Sequence, residues 1–167
     1  MKSWIKAIEY VNEKVGEIAA FLCLFLVVLV CLDVAARALF NYSAAWIMEL
    51  EWHVFACVFL LGGAYTLKQD QHVRVDLFYS KFRPKDKALV NLIGGIVLMI
   101  PFCLLLLWVC FFYAYDAFQI QEGSPDPGGL PFRFVIKGLL AFSILLLLLQ
   151  TLVELHKQFK IYSSSTN

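Results

Sequence analysis

Charged side chains are scarce in this 167-residue chain: they form 16% of it, while 61% is apolar and the mean hydropathy is +0.74. Soluble domains carry roughly 25% charged residues. A deficit this large excludes a chain bathed in water on every side and calls for an apolar solvent, which a bilayer supplies. The net charge of +1 offers no field to attract nucleic acid. The length fits one membrane domain and leaves no room for a sizeable soluble one. Cysteine is present five times but never as CxxC, and Cys23, Cys31, Cys57, Cys103 and Cys110 all fall in apolar runs, so no disulfide framework is expected. The three histidines, His53, His72 and His156, fall in separate regions with no metal or haem spacing. Nucleophile motifs and phosphate-binding loops are also missing. Nothing marks an enzyme, and no cofactor is expected.

What remains is apolar sequence in four blocks. A spanning helix needs about 20 mostly apolar residues. The blocks predict transmembrane helices over about 18–40, 44–67, 88–115 and 134–155, an all-α integral membrane fold. None alternates apolar and polar residues as barrel strands do. The third block has no charge in 28 residues, so a helix there exceeds the hydrocarbon thickness and must tilt, kink or project. Pro101 is its natural kink site, and Gly94-Gly95 could admit a close neighbour.

Lys and Arg set the orientation. Eleven of them fall before the first span, between spans two and three, or after the fourth, against Arg37, Arg133 and Lys137 on the other side. That asymmetry places both termini and the 68–87 loop in the cytoplasm, with the 116–133 loop outside. Ala36-Arg37-Ala38 has the small-x-small pattern of a signal cleavage site, but cleavage there would leave three spans and spoil the asymmetry. Before the first span, Trp4, Ile8, Val11, Val15 and Ile18 recur at helical spacing. Residues 3–16 are therefore expected to form an amphipathic helix in the inner interface, with a simple extension of the first span as the alternative. Residues 161–167 read as a disordered tail.

Charge inside a span is costly and needs a reason. Asp33 and Arg37 are four apart on the first span, the spacing of an ion pair. Glu49 and His53 repeat that spacing at the start of the second, with Trp46 one turn earlier. Glu51 lies about 200° around the helix from Glu49, so both acids cannot face one partner. An ion or proton site is one reading; a polar clamp between helices or subunits is the preferred one. No acid or base stands at mid-depth in spans three or four to continue a proton route. The outer segment Glu122–Pro131 is dense in turn formers, a chain reversal that could also present a contact surface, with Arg133 behind it.

With Asp33-Val-Ala-Ala-Arg37-Ala-Leu-Phe40, then Trp46 and Glu49, Leu61-Gly-Gly-Ala64, and His72-Val-Arg-Val-Asp76, the chain resembles the small membrane subunit of tripartite ATP-independent periplasmic (TRAP) transporters, the DctQ-like family. The likeness covers essentially the whole chain. It implies an accessory, scaffold subunit in a bacterial inner membrane, beside a large multispanning subunit and a periplasmic substrate-binding protein, with membrane lipids around it. In such systems the large subunit carries organic acids by a sodium-driven elevator motion. Carried over, Asp33, Arg37, Trp46 and Glu49 would form a structural or partner clamp. His72, Arg74 and Asp76 would order the cytoplasmic loop against the large subunit or lipid headgroups. The outer turns would meet the binding protein, with Ser124, Asp126 and Arg133 as possible contacts.

Two other functions compete. A self-sufficient small antiporter would use Asp33 as its coupling acid and transport without a partner. A four-helix redox subunit, handling thiols and quinone or carrying haem, would need outer cysteine pairs or facing histidines.

Overall fold

The computed structural model describes residues 3–69 and 82–164. They form four long helices: α1 (Ser3–Phe40), α2 (Ala45–Lys68), α3 (Pro84–Gln119) and α4 (Arg133–Ser164). Each is long and apolar enough to cross a membrane, and no strand occurs among the described residues. The chain is an all-α, multi-pass membrane protein.

Local chemistry fixes the ends of these helices. Asn41, a residue that tolerates the left-handed region, takes φ 47° after α1, and the Tyr42 N–H turns back to the Ala36 carbonyl at 3.3 Å. α3 opens on Pro84 at the first turn, where its missing N–H costs nothing, after an extended Arg83. It closes with Gln121 at φ 50° and the Glu122 N–H on the Ala117 carbonyl at 3.0 Å, a Schellman arrangement.

Three of the helices outrun the expected spans. α1 alone is 38 residues, about 57 Å of helix against about 30 Å of hydrocarbon. Residues 3–16 are not a separate interfacial helix, as expected, but the unbroken N-terminal part of α1. The reason lies in packing. Ile5, Asn12, Gly16 and Ala19 form the buried face here, while Trp4, Val11 and Ile18 of the apolar stripe stay exposed. α4 likewise continues to Ser164, so residues 161–164 belong to the helix rather than to a tail.

α3 changes its winding within its length. Gly95–Met99 form one π-helical turn between Pro84–Gly94 and Ile100–Gln119. The irregularity thus sits just ahead of Pro101, which cannot donate a backbone hydrogen bond to the turn before it. Gly95, within this turn, touches α4 so closely that a Cβ would lie 2.5 Å from Leu155 Cδ2, whereas Gly94 has open space.

α4 is the central element, with α2 and α3 packed on it. α1 packs mainly on α2 and touches α4 less. Along the α3–α4 seam the buried residues of α3 are small: Cys103, Cys110 and Ala117, seven apart. That is the heptad spacing of closely packed helices, with Cys acting as a small apolar residue. The flanking helices are hardly covered. Within the most apolar 18-residue windows of α1 and α3, 11% of residues are buried, against 28% and 22% for α2 and α4.

Candidate functional site: three polar clamps in an apolar frame

At the end of the bundle that carries the α3–α4 loop, Glu49 in the first turns of α2 organises that loop. Its carboxylate is buried and accepts from the Ser124 hydroxyl, from the Leu130 N–H at 2.5 Å and from Arg133 Nη2 at 3.1 Å. The loop is shaped for this contact. Ser124 N–H donates to the Leu130 carbonyl at 3.1 Å, Gly129 N–H to the Asp126 carbonyl at 3.0 Å, and Asp126 N–H to Ser124 Oγ at 3.1 Å. A Cβ on Gly129 would fall 2.3 Å from Ser124 Oγ and 2.8 Å from Glu49, so only glycine fits. Arg133 also lies over the Trp52 ring, 5.6 Å from its centre, and Trp52 stacks on His53. His53 Nδ1 meets the Glu49 carbonyl at 2.6 Å. Behind the loop, Lys137 pairs with Glu122 at 2.5 Å and covers the Tyr113 ring at 3.9 Å.

The second clamp joins α1 to α2. Asp33, 3% exposed, is ion-paired with Arg37 one turn on. Glu51, not Glu49, is the acid of α2 within reach of this pair. The 200° offset between the two acids is therefore used: Glu49 faces the loop and Glu51 faces α1. The structure brings Asp33 and Arg37 together, sets Glu49 apart from them, and leaves Trp46 exposed in the first turn of α2. Ser124 and Arg133 are turned inward onto Glu49, while Asp126 remains exposed. His72, Arg74 and Asp76 lie outside the described residues.

The third clamp, at the opposite end of the bundle, joins α1, α2 and α4. Asn12 of α1 and Gln150 of α4, both fully buried, are hydrogen-bonded, and Gln150 continues to Glu154. Lys157 then bridges Glu154 at 2.8 Å and Glu9 at 2.6 Å. Lys68 of α2 pairs with Glu13 and donates to the Glu9 carbonyl at 3.1 Å. Trp4 meets His156 edge-on at 5.9 Å. The available signal was slight: one amide, Gln150, closing a run of leucines.

These groups hold helices and a loop together. Among the described residues no three His, Cys, Asp or Glu side chains gather to hold a metal.

The family model for the DctQ component of tripartite ATP-independent periplasmic transporters matches residues 26–161. A Haemophilus influenzae protein bearing the name of a TRAP transporter small permease is 26% identical over 141 residues, covering 83% of this chain and 86% of that relative. The matched region contains the Glu49 and Asp33–Arg37 clamps, the α3–α4 seam and the α2 and α4 residues of the third network. The chain belongs to the DctQ family, the small membrane components of TRAP transporters.

Proposed function

We propose that this chain braces a larger membrane subunit that carries organic acids, driven by sodium and fed by a periplasmic binding protein. It handles no cargo itself. The observation that carries the reading is the uneven burial: in the most apolar stretches of the flanking helices α1 and α3 only 11% of residues are buried. Such a frame widens the footprint of whatever it joins. A carrier domain moving like an elevator needs a neighbour that resists being dragged, and long helices resist through the cost of tilt and mismatch.

Clamped charges suit a rigid frame better than a pump. Asp33 is committed to Arg37, which disfavours a lone antiporter built on Asp33. The cysteines lie within α1, α2 and α3 with no CxxC pair, unlike a thiol relay. On this reading the chain lies in the bacterial inner membrane with both termini cytoplasmic. Asp33, Arg37, Trp46 and Glu49 set the frame against the large subunit. His72, Arg74 and Asp76 meet that subunit or lipid headgroups on the inner side. The outer loop, with Asp126 outermost and Ser124 and Arg133 holding its shape, meets the binding protein.

Affinity purification of the tagged chain from its native membrane tests this directly. A larger multispanning protein is expected to accompany it, and sodium-dependent uptake is expected only when both are reconstituted with the binding protein. Solute accumulation by liposomes containing this chain alone would overturn the proposal.

A further inference from the structure

Asp33 and Glu51 pose a problem of missing donors. Asp33 uses one oxygen for Arg37, and its Oδ1 is buried with no hydrogen-bond partner. Glu51 Oε1 is likewise buried and unpartnered. Glu51 is the acid of α2 that interacts with the Asp33–Arg37 pair across the α1–α2 contact, and Arg37 is the cation acting on both carboxyl groups. Other charges nearby are engaged elsewhere. Glu49 is held by the loop, His53 by the Glu49 carbonyl and Trp52, Arg133 by Glu49 and Trp52, and Lys137 by Glu122 and Tyr113.

Two ionised carboxylates against one guanidinium would leave a negative charge in excess, with acceptor facing acceptor, in the outer half of two spanning helices. Buried oxygens without donors are rare because each forfeits its hydration. One proton removes both faults at once. It turns one oxygen into a donor and brings the cluster of three to neutrality.

We propose that Asp33 and Glu51 hold a single proton between them, so that α1 and α2 are joined by a carboxylic acid–carboxylate pair neutralised by Arg37. The proton sits on Glu51, because Asp33 is already the ionised partner of Arg37, and the Glu51 hydroxyl donates to Asp33. It is a structural proton: no acid or base at mid-depth in α3 or α4 leads it onward. The inference stands apart from the transport reading, since it concerns only this chain's own fold.

Infrared spectroscopy of the purified full chain in lipid nanodiscs tests it. Wild type at neutral pH is expected to show the carbonyl stretch of a protonated carboxyl, and Glu51→Gln, which keeps a donor at the same place, is expected to lose it. Thermal unfolding supplies the second readout. A proton bound in the folded state and released on unfolding stabilises at low pH and ceases to do so as pH rises. Wild type should therefore lose several degrees between about pH 6 and about pH 9, and Glu51→Gln should lose much less. No such band in wild type, a band that persists in Glu51→Gln, or matching pH profiles would overturn the proposal. Should the variant fail to fold, the presence or absence of the wild-type band decides alone.

Discussion

Asn12 Nδ2 donates to Gln150 Oε1 at 2.7 Å, and the two side chains, 138 positions apart, are both fully buried. This one bond fixes the height of α1 against α4. Apolar helices in lipid gain little from one register over another, because lipid tails are as apolar as leucine. A buried amide pair supplies the missing preference, since a slip of one residue would strand both amides. The continuation through Glu154 and Lys157 to Glu9 repeats the same tie one turn further in.

The pair is therefore expected to be coupled. Asn12→Leu or Gln150→Leu alone leaves a buried amide without its partner and should cost about 1–2 kcal/mol. The double variant should cost less than the sum of the singles. Unfolding of all four proteins in one detergent measures this; strict additivity would mean that the bond carries no register information.

Glycine positions separate close approach from mere flexibility. A Cβ on Gly16 would lie 2.5 Å from Tyr65 Cγ, whereas Gly62 and Gly63 meet nothing within 4 Å. Gly16→Ala should push α1 from α2 and destabilise by about 1–3 kcal/mol. Gly62→Ala should be neutral or slightly stabilising, because alanine is the better helix former. Comparing the two melting temperatures checks the assignment of Gly16 as a contact.

The spans were readable because each carries an uncharged run, and the Asp33–Arg37 pair because four-residue spacing on a helix is purely local geometry. Helix length was less readable. Beyond the hydrocarbon the same 3.6-residue pattern continues with charges mixed in, and whether Trp4 or Ile5 is buried depends on neighbours over a hundred residues away. The choice between Glu49 and Glu51 was hidden for a similar reason. Sequence shows that the two acids face apart, but which one meets α1 is set by how α2 is rotated, and that rotation depends on α4 and the outer loop. Gln150 was overlooked because a single amide at the end of a leucine run changes the local hydropathy very little.

Arg37 is half exposed on α1, with Asp33 buried beneath it. Arg37→Leu should leave Asp33 without its cation and lower the yield of complex recovered with a larger partner. Adding Asp33→Asn should restore part of that yield, since an amide needs no counter-ion. Quantifying the co-purified partner across wild type and the two variants checks this, and full yield from Arg37→Leu alone would remove Arg37 from the clamp.

Glu49 is expected to govern the outer loop rather than the membrane frame. Its carboxylate accepts from Ser124, Leu130 and Arg133, so Glu49→Ala removes three partners from one segment while leaving the seams of α1–α2 and α3–α4 intact. Arg133 keeps its place over Trp52, and Lys137 keeps Glu122, so the ends of the loop stay anchored. Hydrogen exchange should accelerate at least tenfold at the Leu130 and Gly129 amides, because protection reports local opening, while the helices remain protected. Glu49→Gln should fall between wild type and alanine, for it keeps one acceptor oxygen but loses the charge that strengthens each bond. Uptake by the reconstituted complex should weaken in Glu49→Ala through poorer capture of the loaded binding protein, visible as a higher KM with little change in kcat. Unaltered exchange in residues 123–131 would show that the loop is held by its own turns, and that Glu49 only fills the space beneath it.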